Sequence, residues 1–316
     1  MQSSQSSQHT NDNLGVVGDR TWELTEEHID IISPFERKQE DLGEEVVAKD
    51  LEGSTGELVF STIGGEDVIV KQITINATDK EKVNQIKVRE IYQMCKLGEH
   101  KSINRFIGWI QKPECIKLIL EKCNGGDLRQ FYDKNNLTMK QKVKIMLDVA
   151  EGLEKIHKFG IIHRDIKGGN IALDKEIKGD ECDFTAKILD FGVARGADMS
   201  GGATTHVSGT IKYNAPEQGG GQPYDAKVDI WAFAMMAYEL LCGKEAFADK
   251  KYSKVNDTKL KMMVGNKGLR PSKDDKVDDC PADVKEIYET NWDKDPENRM
   301  TSSQLVEKLT AIYGAM

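Results

Sequence analysis

"HRDIKGGN" (163–170) is a charged, glycine-containing stretch that begins just past a helix stop signal. Upstream, Thr138 to Phe159 carries apolar residues at 143, 146, 147, 150, 153 and 156, the spacing of an amphipathic helix closed by Gly160. Downstream lie "ILDFGVAR" (188–195) and "GTIKYNAPE" (209–217). Any single Asp or Asn in such a loop is ordinarily a cap. Three such segments in one order ask for a shared chemical reason, and the rest of the chain supplies the setting.

With 316 residues, the chain can bury one large core or the cores of two lobes. Charged residues make up 31% and the net charge is −9, the balance of a soluble acidic protein. That balance argues against a general nucleic-acid binder, which would show a basic surface. The longest nearly unbroken apolar run, Trp231 to Cys242, is too short to cross a bilayer and reads as a buried helix. No charged-then-apolar signal pattern opens the chain. Six cysteines (95, 115, 123, 182, 242 and 280) lack any C-x-x-C pair, which points to reduced thiols and an intracellular, cytoplasmic setting.

Residues 1–13 are polar without a hydrophobic period and read as a disordered tail, and 14–45 as a flanking extension. From Val46 to Ile75 short strands alternate with glycine turns. Thr78-Asp79-Lys80-Glu81 has capping-box spacing and predicts a helix with Val83, Ile86, Ile91, Met94 and Leu97 on its apolar side, ended by Gly98. "CIKLILEK" (115–122) reads as a buried strand, and two further helices follow Pro281. The layout is α+β: a small β-rich lobe with one key helix, then a larger helical lobe. A cleft between lobes is a common small-molecule site.

The three quoted segments resemble the catalytic loop, metal-binding motif and activation-segment end of eukaryotic protein kinases. The resemblance covers residues 46–313, with the small lobe about 46–120, a hinge at 121–126 and the large lobe 127–313. It implies the two-lobed kinase fold, Mg2+ and ATP as cofactors, and a protein substrate. Phosphoryl transfer needs an in-line hydroxyl, held phosphates and neutralised charge. By the resemblance, Asp165 orients the substrate hydroxyl and accepts its proton late, and Lys167 contacts the transferred group. Asp190 and Asn170 hold magnesium through hard oxygens. Lys71, at the end of "VIVK", meets the α and β phosphates, with Glu90 as its carboxylate partner.

"DLEGSTGELVF" (50–60), which alone reads equally as a hairpin turn, becomes a phosphate-covering loop under this resemblance. Gly53 and Gly56 take its second and third glycine places and Leu58 its valine place; Leu51 occupies the first glycine place, a departure that stiffens the loop. Ile69 replaces the usual alanine above the adenine ring, and Ala172 the usual bulky aliphatic below it. This near volume-conserving swap predicts a working slot with the ring displaced toward Ala172. Leu120 lines the pocket, Glu121 and Cys123 offer hinge backbone to the adenine edge, and Asp127 meets the ribose. Among scaffold residues, Asp229 braces the catalytic loop, Glu217 pairs with Arg299, and Met94, Phe106, His163 and Phe191 form an apolar column.

Lys167 and Thr210 are similar to the serine/threonine branch, and "NWDKDPENRMT" (291–301) to its tyrosine-kinase-like subgroup. "KGGN" lacks the proline often found after the lysine. Arg164 and Arg195 flank the segment from both sides and would repel unless an anion joins them. The expected anion is a phosphate placed by an upstream kinase on Thr204, Thr205 or Ser208. Two rival readings stand beside phosphotransfer. A pseudokinase scaffold would fit Leu51, Ile69 and Ala172, but Lys71, Glu90, Asp165, Asn170 and Asp190 are all present. A small-molecule kinase fits less well with the "GTIKYNAPE" platform.

Overall fold

Alternation along β3 (Glu66–Thr74) sets the small lobe. Val68 and Val70 point to one face and are fully buried with Leu42, Val59, Ile110 and Ile119. Ile69, Lys71 and Ile73 point to the other. In the computed structural model, which describes residues 24–48, 56–76, 78–132, 137–196, 209–218, 223–248, 252, 254–271 and 280–316, β3 pairs with β2 (Glu57–Ile63) and β5 (Cys115–Glu121). The antiparallel sheet is completed by β1 (Val46–Val47) and β4 (Phe106–Gln111), in the order β1-β2-β3-β5-β4. The register sets Ile69 opposite Leu120 and Lys71 opposite both Leu58 and Leu118. One cleft wall thus follows from strand pairing.

The expected helix after the sheet is present but differs in two respects. Its cap is Asp79, whose side chain accepts from the Lys82 N–H, and not Thr78, which bonds instead to Asn76 Oδ1. Neighbouring cap-competent residues compete, and here the Asp79 carboxylate takes the first turn. Secondly, α2 (Lys80–Ile86) runs into a π turn (Lys87–Ile91) before α3 (Tyr92–Leu97), and Glu90 lies in that turn. Such insertions cluster at functional sites because they re-aim one side chain without ending the helix. Val83, Ile86, Ile91, Met94 and Leu97 are buried, and Gly98 ends the element.

Residues 24–47, part of the segment read as a flank, belong to the small lobe. A short α1 (Glu26–Ile32) presents its Ile32 carbonyl to the Trp109 indole N–H at 3.0 Å, and His28 meets the Tyr92 ring edge-on at 4.5 Å. Further on, Glu45 accepts two hydrogen bonds at 2.6 Å from buried Lys117 and one at 2.7 Å from Gln39. Burial alone would raise the Glu45 pKa, but these donors hold it below its ordinary value. A depressed carboxyl contributes stability that is complete above the unfolded-state pKa and lost as pH falls through the folded-state one. Wild type is therefore expected to exceed Glu45→Gln in urea-unfolding stability at pH 7, the gap closing toward pH 3. A gap constant with pH would contradict the pairing.

The large lobe is built on α4 (Met139–Lys158), capped by Thr138 with Gln141, and on α5 (Lys227–Cys242), buried nearly all round. Around them lie α6 (Asp257–Lys267), α7 (Ala282–Asn291) and α8 (Ser302–Gly314), the last two being the expected C-terminal pair. The remaining strands are short pairs. β6 (Ile161–Ile162) pairs with β9 (Arg195–Gly196), and β7 (Ile171–Leu173) with β8 (Ala186–Ile188). They fix the two ends of the quoted loops beneath the sheet. No helix among the described residues is long and apolar enough to cross a membrane.

Candidate active site

Between the lobes lies a cavity of about 1070 Å3. Its walls bring together Leu58, Ile69, Lys71, Glu90, Leu120, Glu121, Cys123, Asp127, Asn170, Ala172 and Asp190, from both lobes and the hinge. Lys71 lies 2.6 Å from Glu90 Oε1 and 2.7 Å from Asp190 Oδ1. Burial would lower the Lys71 pKa, but the two carboxylates raise it above its usual value, so the ammonium stays charged. Burial pushes Glu90 upward, and the adjacent ammonium opposes this. Lys71 thereby ties Glu90 of the π turn to Asp190 across the cleft.

Of the loop residues, Asn170 lines the cavity, and Asp165 and Lys167 lie behind it, joined through hydrogen bonds. Asp165 Oδ1 accepts from the Thr210 N–H at 2.9 Å and hydroxyl at 3.0 Å; its Oδ2 accepts from Lys167 at 2.8 Å and from the Asn170 amide at 2.7 Å. Lys167 also reaches the Thr210 hydroxyl at 2.7 Å. Thr210 is thus a contact to both residues, as expected. The Asn170 amide nitrogen is spent on Asp165, including its carbonyl at 2.8 Å, which fixes the amide orientation. That leaves the Asn170 carbonyl oxygen free beside the Asp190 carboxylate as two hard oxygens lining the cleft, a pair that suits Mg2+ shared with phosphates. Asp190 and Arg164 both have positive φ, 57° and 67°, as non-glycine residues at the functional loops.

The expected Asp229 brace and Glu217–Arg299 pair hold in geometry; of the expected apolar column the ring contacts show His163 against Phe191, while Phe106 meets Phe35 at 5.7 Å. Asp229 Oδ1 and Oδ2 accept the Arg164 and His163 backbone N–H groups at 2.7 and 2.8 Å. Burial would raise the Asp229 pKa, yet the His157 hydrogen bond and charge hold it below its ordinary value. His163 is fully buried, pairs its Nε2 with the Leu189 carbonyl at 3.0 Å and meets the Phe191 ring at 5.0 Å; it is a packed residue. Arg299 and Glu217 form a two-pronged pair at 2.6 and 2.9 Å.

Elsewhere the structure adds or alters detail. Gly56 is not among the cavity-lining residues; a Cβ there would lie 2.5 Å from the Gln72 carbonyl, so close approach of β2 to β3 explains this glycine. Asp127 lines the cavity, but its carboxylate is gripped by Arg129 at 3.0–3.1 Å, a partner that a ribose hydroxyl would have to share. Asn104, missed in the sequence, donates to the Glu121 carbonyl at 3.2 Å and to Cys123 Sγ at 3.4 Å, stiffening the hinge. Flanked by Ser102, Ile103 and Arg105, it carried no sequence signal of that role. Burial pushes the Cys123 thiol up to about 12, which leaves it a neutral wall group. Leu51, Gly53, residues 1–13, Thr204, Thr205 and Ser208 lie outside the described residues.

A two-lobed fold with a lysine–glutamate pair above and an Asp-Lys-Asn loop below is the arrangement of a protein kinase domain. The protein kinase domain family matches residues 52–309, and the chain belongs to that family. It is similar to the Arabidopsis thaliana serine/threonine-protein kinases STY17 and STY46, 29% identical to each over 263 and 262 residues. These alignments cover 82% of this chain and 43% and 42% of those proteins. The serine/threonine-protein kinase VIK of the same plant is 31% identical over 268 residues, or 82% of this chain and 58% of its own. The chain therefore spans less than two thirds of these relatives' lengths.

Proposed function

We propose that the chain is an active serine/threonine protein kinase that transfers the γ-phosphoryl group of Mg-ATP to protein hydroxyls. The observation that carries this reading is the joint placement of Lys71, Glu90, Asp165, Asn170 and Asp190 around one cleft. Asp190 and the Asn170 carbonyl oxygen would hold magnesium, which when bound neutralises charge on the phosphates. Lys71, kept charged by Glu90, fixes the inner phosphates. Asp165 positions the acceptor hydroxyl and receives its proton late, and Lys167 faces the transferred group. Leu58 and Ile69 above and Ala172 below enclose the adenine, with Leu120 behind it and the Glu121 and Cys123 backbone at its edge. A pseudokinase would be expected to lack at least one of these charged groups.

Regulation by phosphate on Thr204, Thr205 or Ser208 belongs to the same proposal. Arg89, from the π turn, joins Arg164 and Arg195: burial and then those two guanidinium groups depress its pKa to about 10. Three cations crowding one another favour a dianion between them. The test is label transfer from γ-labelled ATP to a generic basic protein, followed by phosphoamino-acid analysis, before and after phosphatase treatment of the enzyme. Phosphoserine and phosphothreonine are expected, with a lower rate after treatment. Phosphotyrosine alone, or no transfer, would overturn the specificity or the activity. An unchanged rate after treatment would overturn the switch.

A further inference from the structure

The absent proline of "KGGN" has a structural counterpart. A Cβ at Gly168 would lie 2.1 Å from the Tyr132 hydroxyl oxygen and 2.8 Å from its Cζ, so only glycine leaves room for that ring. Tyr132 directly follows the single turn Leu128–Phe131 past the hinge, and its hydroxyl donates to Glu239 Oε2 at 3.0 Å. Glu239, on α5, is fully buried. It also accepts from the Tyr213 hydroxyl at 2.8 and 2.9 Å and from the Ala246 N–H at 2.7 Å. Tyr213 in turn donates its backbone N–H to the Thr210 carbonyl at 2.9 Å, and Thr210 is bonded to Asp165.

These contacts form a closed ring. It leaves the catalytic loop at Asp165, passes through Thr210, Tyr213, Glu239 and Tyr132, and returns to the loop at Gly168. We propose that Tyr132 is a positioning residue for the segment 209–218, holding it in register with Asp165 through Glu239, and that Gly168 is the opening that admits it. The functional part of this inference rests on the phosphotransfer reading above, since the positioned segment is where a protein substrate would meet Asp165.

Chemistry at the centre of the ring makes each donor count. Burial pushes the Glu239 carboxyl up to about 7 even with hydrogen bonds from Ala246, Tyr213 and Tyr132. The charged groups around it are Lys212 and Glu245, paired with each other, and Arg129 near Tyr213. Losing the Tyr132 donor removes one bond that favours the ionised form, so the pKa rises and the carboxylate is neutralised at higher pH. A neutral acid accepts more weakly, and Tyr213 is held less firmly.

The test compares full-length wild type, Tyr132→Phe, Gly168→Ala and the double variant. Amide hydrogen exchange over 209–218 is read alongside KM for protein substrate, KM for ATP and the pH–rate profile. Tyr132→Phe is expected to speed exchange in that segment and raise KM for protein substrate by about 5–10-fold, the worth of one ordinary hydrogen bond. KM for ATP should change less than about twofold, and the acid limb should move to higher pH. Gly168→Ala should be costly alone and less so when combined with Tyr132→Phe, which removes the hydroxyl oxygen at 2.1 Å while the ring carbon at 2.8 Å stays. Unchanged exchange in Tyr132→Phe, or strictly additive effects in the double variant, would overturn the proposal. Exchange needs no turnover, so an inactive wild type would count against the phosphotransfer reading and leave this test standing.

Discussion

Asparagine in place of Asp190 is expected to slow phosphoryl transfer by about 10^3-fold or more while leaving the protein folded. The backbone there has a φ of 57°, a conformation that asparagine adopts as readily as aspartate. The amide keeps an oxygen for the Gly192 N–H, 3.1 Å from Oδ1 in wild type, so the turn survives. What disappears is charge. Lys71, 2.7 Å away, loses one of the two carboxylates that keep its pKa high, and the cleft loses the carboxylate best placed to share an ion with phosphate. Initial rates set against the thermal midpoint separate the two effects. A folded Asp190→Asn protein working at the wild-type rate would remove Asp190 from the chemistry.

Arg299→Ala should give the largest loss of stability, about 3–5 kcal/mol, because it strands a partly buried carboxylate. The Arg299 side chain is 0% exposed and that of Glu217 19%. Besides the pair, the guanidinium donates to the carbonyls of Asp293 at 2.9 Å, Lys227 at 3.0 Å and Lys294 at 3.3 Å. It also lies 5.1 Å from the Trp231 ring, which Arg270 approaches at 4.5 Å. Alanine therefore removes three donors to carbonyls and leaves one acid unpaired. Glu217 retains some access to water, so the cost should fall toward the lower end of that range. Chemical denaturation of both proteins measures it. A loss below about 1 kcal/mol would mean that the pair behaves like an exposed surface bridge.

What the sequence disclosed, and what it hid, follows the range of the interactions. The quoted loops were readable because phosphotransfer fixes residue type and spacing within a few positions, and Asp165, Lys167 and Asn170 sit within one short loop. Strands carrying Lys71 and Leu120 were readable from period-2 burial. Residues 24–47 were not, because Glu45 is satisfied by Lys117 and Ile32 by Trp109, partners more than 70 positions away. The π turn at Glu90 was hidden for another reason: one extra residue hardly disturbs the apolar period that marks a helix. The capping-box spacing pointed to Thr78, whereas Asp79 one place on is the cap, a one-residue shift that local pattern does not resolve. Gly168 looked like a missing proline until the Tyr132 ring was seen beside it.

The account depends on two hard-oxygen side chains sharing one triphosphate with Lys71. Crystals grown with Mg2+ and a non-hydrolysable ATP analogue test that most directly. The expected result is metal about 2.0–2.1 Å from an Asp190 carboxylate oxygen and from the Asn170 carbonyl oxygen, with Lys71 on the inner phosphates. An empty cleft at saturating analogue, or a bound analogue with both side chains turned from the phosphates, would contradict it.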